Sequence, residues 1–290
     1  MTDGQHVYAY FGSDGLYCLD MEGRLQWQKD LGDMTTKRAF GEGSSPVLGG
    51  DTIVVNWDHE GDSFVVAQNK RTGDEIWRVE RDEVTSWATP LVVTHDGRPQ
   101  VVVNATGKVR SYDLTTGKQV WETAGMTANV IPSSVAVGGV VFVTSGFRGN
   151  ALLAIRLADA KGDITDSGAI LWQHDRNTPY VPSPLLYRDT LYFLKSNSGI
   201  LSCFDAKTGL PHYTQRLASI RNVYASPVGA NGRVYLAGRQ GKVVVFEAGP
   251  EFRLLASNSL DDDFDASPAI VDGEIYLRGA KHLYCIAKPK

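Results

Sequence analysis

The stretch Ser111–Trp121, SYDLTTGKQVW, decides the fold because it contains two β-rich segments joined by a glycine turn. The aspartate can hydrogen-bond the turn backbone, the glycine permits a positive φ, and the closing tryptophan fills space between packed sheets. The same order returns in CLDMEGRLQW (Cys18–Trp27), AQNKRTGDEIW (Ala67–Trp77) and CFDAKTGLPHY (Cys203–Tyr213). One hairpin recurring along a chain predicts a repeat fold.

Two further pieces precede each hairpin. A small-residue and proline step comes first, as in VPSPLLY from Val181, and a β-branched and aromatic run follows, as in TLYFLKS from Thr190. Both predict strands, so each repeat contains four strands, a to d in chain order. The closing aromatics lie about 41 to 51 residues apart, which is the spacing of propeller blades.

The sequence therefore predicts an all-β fold, a β-propeller of four-stranded antiparallel blades, about six to seven in number, in a single domain over residues 1–290. Complete blades are expected at 44–80, 87–124, 132–175, 182–218 and 225–260, with partial blades at 5–31 and 265–287. The partial blades contain strands b-c-d and a-b-c, which cannot merge into one blade. We expect an incomplete or open ring whose exposed strand edges can pair with another copy.

The cysteines support the same alignment of repeats. Cys18, Cys203 and Cys285 occupy one position of strand c in three different blades. An odd number of distant cysteines argues against a disulfide framework. We expect three buried thiols that pack in the core.

Bulk composition excludes some partners. A net charge of -4 and a pI near 5.9 provide no basic surface, so no nucleic-acid partner is expected. No apolar run is long enough for a transmembrane segment, and the N-terminus lacks the basic-then-apolar pattern of a signal peptide. These patterns leave the compartment open.

The pieces DLTTGKQVW and FDAKTGLPHY, with SP steps before each inner strand, resemble the tryptophan-docking repeat of the pyrroloquinoline quinone (PQQ)-like, BamB-like propeller family. The resemblance covers nearly the whole chain. Members are usually eight-bladed and periplasmic or exported, so it implies a chain lacking one to two N-terminal blades. The dehydrogenases of this group place two adjacent cysteines over the quinone, and no adjacent pair is present here. PQQ is therefore not expected as a cofactor.

Strand alternation predicts where functional loops gather. In an up-and-down blade the d-to-a and b-to-c connections share one face, and the glycine turns lie on the other. Polar and aromatic loop residues concentrate in the first set, which we expect to form the functional face. The residues expected to rim the channel there are Glu42, Trp57, Asp58, His59, Glu60, Trp87, Asn104, Asn129, Arg148, Asn150, Tyr180, Asn197, Asn222, Tyr224, Arg239, Asp265 and His282.

The most elaborate b-to-c turn is NWDHEGDS, Asn56–Ser63. One hypothesis is a Ca²⁺ or Zn²⁺ site that activates water, with an arginine stabilising developing negative charge. The alternative is a structural turn whose carboxylates bond backbone amides. The acidic turn Asp261–Ala266, DDDFDA, has two alternatives of its own: its spaced oxygens bind Ca²⁺, or it is a solvated acidic turn. The predicted metal ligands are Glu42, Asp58, His59 and Asp265, and the predicted catalytic residues are Asp58, His59, Glu60 and Arg148.

Two tryptophans, Trp57 and Trp87, fall outside the d-strand position. Either they offer a surface for a ligand or they pack against a neighbouring loop. Arg148 and Arg239 occupy equivalent turns, where a guanidinium can bind an anion or pair with an acidic turn of the next blade. The predicted ligand-binding residues are Trp57, Trp87, Tyr180, Asn197, Asn222 and Arg239.

The sequence contains no nucleophile elbow, phosphate-binding loop or His-Glu-x-x-His motif. The leading hypothesis is a non-enzymatic scaffold that binds a protein partner or small molecule on its loop-rich face. The alternative is a hydrolase acting on an ester or phosphoester at the channel mouth. A PQQ-dependent dehydrogenase ranks third.

Overall fold

The computed structural model describes residues 1–288, whose strands form seven sheets. Contacts between Cα atoms divide the chain into two compact units, Met1–Val143 with Leu153–Leu171, and Thr144–Leu152 with Trp172–Lys290. The strands of each sheet follow chain order, except that the third sheet gains a short strand from the segment between the last two strands of the fourth. Among the described residues, no helix is long and apolar enough to cross a membrane. Three short 3₁₀ turns occur, at Gly12–Asp14, Lys37–Ala39 and Leu157–Asp159.

The first three sheets belong to the first unit, and their strands follow chain order. The first sheet contains β1 (His6–Tyr10), β2 (Leu16–Asp20) and β3 (Leu25–Lys29). The second contains β4 (Val47–Gly49), β5 (Thr52–Trp57), β6 (Ser63–Asn69) and β7 (Glu75–Arg81). The third contains β8 (Leu91–His95), β9 (Arg98–Val103), β10 (Val109–Asp113) and β11 (Gln119–Thr123).

The remaining sheets repeat this antiparallel order. The fourth contains β12 (Val135–Val137), β13 (Val140–Ser145), β14 (Ala151–Arg156) and, after the short β15 (Gly162–Asp163), β16 (Ile170–His174). The fifth contains β17 (Leu185–Tyr187), β18 (Thr190–Leu194), β19 (Ile200–Asp205) and β20 (Pro211–Arg216). The sixth contains β21 (Val228–Ala230), β22 (Arg233–Gly238), β23 (Lys242–Glu247) and β24 (Leu254–Ser259). The seventh contains β25 (Ala269–Val271), β26 (Glu274–Arg278) and β27 (Leu283–Ile286).

The first and seventh sheets have three strands each, b-c-d and a-b-c, and they remain separate sheets. The first sheet lacks strand a, and residue Met1 covers part of the place of that strand. Met1 and Tyr8 exchange two backbone hydrogen bonds of 2.8 and 2.9 Å. No described strand covers the outer edge of β27. No described strand pairing joins these two sheets into one blade.

Tryptophans of strand d fill the space between consecutive sheets, as the sequence predicted. Trp77 donates its indole N–H to the Leu114 carbonyl at 2.9 Å and lies against Gly117 of the next sheet's turn. Trp27 makes the same bond to Lys70 at 3.1 Å, and Trp172 to Ala206 at 3.3 Å. The glycine turns of the second, third and fifth sheets therefore receive the indole of the preceding sheet.

The third sheet departs from this pattern. The connection between β14 and β16 replaces a glycine turn with a longer segment, and its β15 pairs in parallel with β11. Leu157 and Ile164 of this segment pack with Trp121, which has no exposed surface. An inserted segment thus performs the packing that a glycine turn performs elsewhere.

The cysteines occupy equivalent positions, opposite Tyr8, Tyr192 and Tyr276 of the neighbouring b strands. Cys18 and Cys203 are buried, as expected. The prediction that Cys285 is buried is wrong. Its strand β27 is the outermost of its sheet, so no described d strand covers the thiol.

We predict that Gly117→Ala destabilises the protein more than Gly97→Ala does. Both glycines have positive φ, +71° and +73°, which costs an L-residue about 1–2 kcal/mol. A Cβ at Gly97 meets nothing within 4 Å, whereas one at Gly117 lies 2.7 Å from Trp77 Cδ2. Displacing the indole should add about 1–3 kcal/mol, measured by denaturant unfolding. Equal losses would contradict this role for Gly117.

Candidate functional site

A buried ion pair lies at the base of the NWDHEGDS turn. Arg81 at the end of β7 donates to both carboxylate oxygens of Asp58, at 2.8 and 3.2 Å, and Ser86 Oγ donates to the same carboxylate at 2.6 Å. Both charged side chains are fully buried. Burial by itself lowers the pKa of Arg81, but the charge of Asp58 and its hydrogen bonds outweigh this effect and raise it. Asp58 is thus committed to a structural pair.

Arg81 also connects two sheets, since it donates to the Tyr112 hydroxyl of β10 at 2.5 Å. Beside it, buried Glu83 accepts the N–H groups of Gly107 at 2.7 Å and Lys108 at 2.9 Å. Burial raises the pKa of the Glu83 carboxyl, and the Gly107 hydrogen bond opposes this only in part. Glu83 fixes a b-to-c turn of the next sheet, a role that the sequence did not reveal.

His59 is buried, and hydrogen bonds occupy both ring nitrogens. The Thr35 N–H donates to Nδ1 at 3.0 Å, so Nε2 carries the proton and donates to the Asp62 carbonyl at 3.2 Å. A ring bonded in this way has no lone pair left for a metal or a substrate proton. The residue joins two loops instead.

Two further predicted residues also bond nearby loops. Glu60 accepts the Thr85 hydroxyl at 2.7 Å, a bond that lowers the pKa of its carboxyl. Glu42 accepts the Ser13 N–H at 2.7 Å and its hydroxyl at 2.5 Å. Within residues 1–288 no group of three or more His, Cys, Asp or Glu can hold a metal ion. Glu42, Asp58 and His59 of the predicted metal set thus bond protein groups in this structure, and the metal site stays a prediction.

Trp57 is a core residue. It is 2% exposed and stacks on Phe64, with ring centroids 5.5 Å apart and planes 9° apart. The prediction that Trp57 offers a surface for a ligand is therefore wrong. The turn starts within the core, because residues 53–57 of β5 are all buried.

Trp87 holds a strained loop. Its indole N–H donates to the Gly41 carbonyl at 2.8 Å, and its ring lies beside Phe40, with centroids 6.4 Å apart. Within this loop Arg38 and Ala39 have φ of +54° and +55°, which non-glycine residues rarely adopt. The half-buried indole therefore supports a loop that leaves Phe40 61% exposed.

The second unit carries another aromatic cluster on its loops. Phe147 and Tyr180 stack with centroids 4.8 Å apart, and the Arg148 guanidinium lies 5.5 Å from the Phe147 ring centroid. Arg148 is exposed and has a positive φ of 53°. Thr178 fixes the cluster by donating its N–H to Asn150 at 3.1 Å and its hydroxyl to the Ser145 carbonyl at 2.7 Å.

Asn197 and Asn222 line one cavity of about 600 Å³ in the second unit. It lies between the b-to-c turn after β18 and the d-to-a loop after β20, and Arg216 and Arg221 also line it. The Asn197 side-chain oxygen accepts the Val181 N–H at 3.1 Å. The structure thus brings two predicted ligand-binding residues to the same cavity.

Two further predicted residues, Arg239 and Asp265, form an ion pair. Arg239 donates to both oxygens of Asp265, at 2.6 and 2.9 Å, and stacks 3.9 Å over the Tyr224 ring. The sequence left open an anion site or pairing with the next acidic turn, and the structure shows the pairing. In that turn, Asp262 accepts the backbone N–H groups of Lys281 and His282 at 3.0 and 3.1 Å.

A second cavity, of about 520 Å³, was missed by sequence reasoning. It lies in the first unit on the side of the glycine turns, and its lining includes His95, Asp113, Lys118 and Lys161. The inserted segment after β14 forms one wall. The one available signal was the long connection between Arg156 and Trp172, where other repeats have a short glycine turn.

The family model described as outer membrane protein assembly factor BamB matches residues 1–209 and 61–288. The chain belongs to this family. The BamB structure from Moraxella catarrhalis is similar with a TM-score of 0.71 and 14% identity, over 97% of this chain and 81% of that one. This likeness confirms the predicted class, a β-propeller of four-stranded antiparallel blades, here with seven sheets as blades.

Methanol dehydrogenases are also similar to this BamB-family chain. A europium-containing methanol dehydrogenase matches with a TM-score of 0.57 and 13% identity, over 94% of this chain and 80% of that one. Subunit 1 of the methanol dehydrogenase (cytochrome c) from Methylobacterium organophilum is 25% identical over 145 residues, 42% of this chain. The match spans 22% of that subunit's length. These structural likenesses, below 25% identity, concern the fold.

The residues of this chain do not match the PQQ site that the family resemblance implies. The sequence has no adjacent cysteines, and Cys18 and Cys203 are buried within strands. The indoles of Trp57 and Trp121 are buried in apolar cores, where they cannot support a quinone.

We predict that Asp58→Ala destabilises the protein by about 3–5 kcal/mol, because it leaves Arg81 buried without its carboxylate. Asp62→Ala in the same turn is the control, since that side chain is exposed and its loss should change stability by under about 0.5 kcal/mol. Denaturant unfolding measures both. Adding Arg81→Met to Asp58→Ala should recover part of the loss, and failure to do so would argue against an ion-pair origin.

Proposed function

We propose that this chain is a non-enzymatic protein-interaction scaffold that binds its partner through the loops between blades. The observation that carries the proposal is Phe40, 61% exposed on a loop whose backbone is strained and tied down. Phenylalanine and the other aromatic residues are enriched in protein interfaces relative to the rest of the surface. The family description supports a partner that takes part in outer membrane protein assembly.

The loop around Phe40 is held from several directions. The Lys37 N–H donates to Thr85 Oγ1 at 2.9 Å, and the Gly41 N–H donates to Thr36 Oγ1 at 3.1 Å. Trp87 adds the hydrogen bond from its indole described above. Such a loop loses little conformational freedom on binding, which favours affinity. Backbone strain maintained by surrounding contacts is itself a pointer to function.

An aromatic and arginine cluster on the loops of the second unit also supports binding of a protein partner. Phe147, Arg148 and Tyr180 belong to the classes enriched in protein interfaces, and they form one stacked group. Arg148 lies there as an exposed cation over an aromatic ring, an arrangement suited to contact with a partner's carboxylate. The contacts of Asp58 and His59 do not favour the hydrolase alternative.

We expect a photo-crosslinking amino acid at Phe40 to capture a defined protein, whereas the same amino acid at Leu210 does not. Leu210 is a matched control because it is 66% exposed but lies on a glycine turn. Crosslinked products are identified by mass spectrometry from cells expressing the chain. Equal capture of the same protein at both positions would contradict a binding role for the loops.

We expect Phe40→Ala to remove at least about 1 kcal/mol of binding free energy for the captured partner, as hot-spot truncations do. Stability should change by under about 0.5 kcal/mol, because the ring is exposed. Trp87→Phe keeps an aromatic ring but loses the bond to Gly41, so it should weaken binding through the loop. Titration of the purified partner measures both. Unchanged affinity in Phe40→Ala would exclude this loop from the interface.

We further predict that PQQ is not retained. After incubation with PQQ and Ca²⁺ and then gel filtration, the protein fraction should show no quinone absorbance. Stoichiometric absorbance that survives the column would overturn this prediction. The same samples, analysed for bound elements, test the divalent metal that the sequence suggested.

A further inference from the structure

The cavity of about 520 Å³ in the first unit has a buried amide in its wall. Gln100 of β9 lines this cavity and is only 7% exposed. Its side-chain oxygen accepts the Ser111 hydroxyl at 2.8 Å and the Trp121 indole N–H at 3.2 Å. An indole N–H can only donate, so the other terminal atom of Gln100 is the amide nitrogen. Among residues 1–288 no group accepts a hydrogen bond from that nitrogen, so its two N–H donors are available to a bound molecule.

Three cationic side chains line the same cavity: Arg98, Lys118 and Lys161. Arg98 lies two residues before Gln100 on β9, and residues two apart in a strand share one face. All three cations are exposed, and none has an ion-pair partner in the part of the chain that the structure describes. Their charges are therefore free to act on a ligand.

The two carboxylates of the lining compensate these charges only in part. Asp113 is committed to its own turn, because one of its oxygens accepts the N–H of Thr115 at 3.1 Å and the N–H and hydroxyl of Thr116 at 2.8 Å. The Asp96 carboxylate lies 3.5 Å from His95 Nε2. With three cations and two carboxylates, the lining has an excess of positive charge.

The inserted segment after β14 supplies an apolar wall that is fixed in place. Leu157 and Ala160 of this wall are buried in the core around Trp121. The Leu157 N–H donates to the Gly139 carbonyl at 2.9 Å, and β15 pairs Gly162 with Trp121. The cavity is thus formed before a ligand arrives, which lowers the entropic cost of binding.

We propose that this cavity binds a small organic anion. The Gln100 amide and the cations hold its carboxylate or phosphate group through charge-assisted hydrogen bonds, and its apolar part packs against the inserted segment. Small-molecule sites typically enclose about 300 to 1,000 Å³ and combine apolar walls with a few placed polar groups. The cavity lies on the side of the glycine turns, away from the loops of the proposed function, so either proposal can fail alone.

The Trp121 indole N–H provides a signal for occupancy of the site. It bonds the Gln100 side-chain oxygen and has no exposed surface, so a ligand on the Gln100 amide should shift its ¹H–¹⁵N resonance. Trp27 is the internal reference, because its indole N–H bonds the Lys70 carbonyl. Trp121→Phe assigns the resonance.

The probes are benzoate and phenyl phosphate, with benzyl alcohol as the neutral control. A saturable shift of Trp121 with benzoate identifies a carboxylate site, and one with phenyl phosphate identifies a phosphate site. Benzyl alcohol at the same millimolar concentration should leave Trp121 unshifted. Water and neutral hydroxyls also accept hydrogen bonds, so an equal shift with benzyl alcohol would overturn the proposal. A shift with neither anion would overturn it too.

Two variants locate the bound anion. Lys118→Gln combined with Lys161→Gln should raise the dissociation constant at least about tenfold, because two charge-assisted contacts are lost. Lys207→Gln is the matched control, since Lys207 is an exposed lysine on the fifth sheet's glycine turn outside the cavity. Ala158→Trp places a large ring at an exposed position of the lining and should abolish the shift. Equal dissociation constants for the double variant and the control would overturn the proposal.

Discussion

The packing of one sheet's closing indole onto the next sheet's glycine turn is the interaction on which the rest of the structure depends. The indole N–H finds a backbone carbonyl in that turn, as Trp77 finds Leu114, so a large side chain is buried with its polar atom satisfied. Only glycine leaves room for the ring, because a Cβ at Gly117 would lie within 2.7 Å of it. This contact between an indole and a glycine turn therefore holds one sheet against the next.

The third sheet shows that the closing tryptophan needs apolar cover from the next sheet, and that a glycine turn is not required to provide it. Trp121 donates to the Gln100 side-chain oxygen at 3.2 Å within its own sheet, and the inserted segment with Leu157 and Ile164 covers its ring. The segment also adds a parallel strand to the sheet. Where a glycine turn is lost, a longer connection must supply both the apolar cover and the backbone pairing.

The glycine turns maintain the spacing of the sheets, so the loops at the other strand ends can differ in sequence from blade to blade. These loops are nevertheless held in place, because Asp58, His59 and Glu83 bond groups from neighbouring loops or sheets. Buried carboxylates of this kind are stabilised by the donors around them. The residue types that indicated a reaction centre in the sequence are those that hold a rigid loop surface in position.

The period of the chain was sufficient to predict the propeller class and its four-stranded antiparallel repeat, because strand alternation and glycine turns are local. In contrast, the pairing of one side chain with another depends on residues that are distant in sequence. Arg81 ends a d strand 23 residues after Asp58, and nothing in either neighbourhood marks them as a pair. The tautomer of His59 depends on the Thr35 amide from a different loop. Cys285 shares its position with two buried thiols, but it is exposed because no described strand lies beyond β27.

For the same reason, the sequence left a solvated turn as one alternative for the acidic residues around Asp262. Its carboxylate instead accepts two backbone N–H groups of the β26–β27 turn and the Tyr284 hydroxyl. Burial by itself raises the pKa of Asp262, but these hydrogen bonds outweigh it and lower the pKa to about 2. An ionised carboxylate thus ties the β26–β27 turn to the loop that precedes β25.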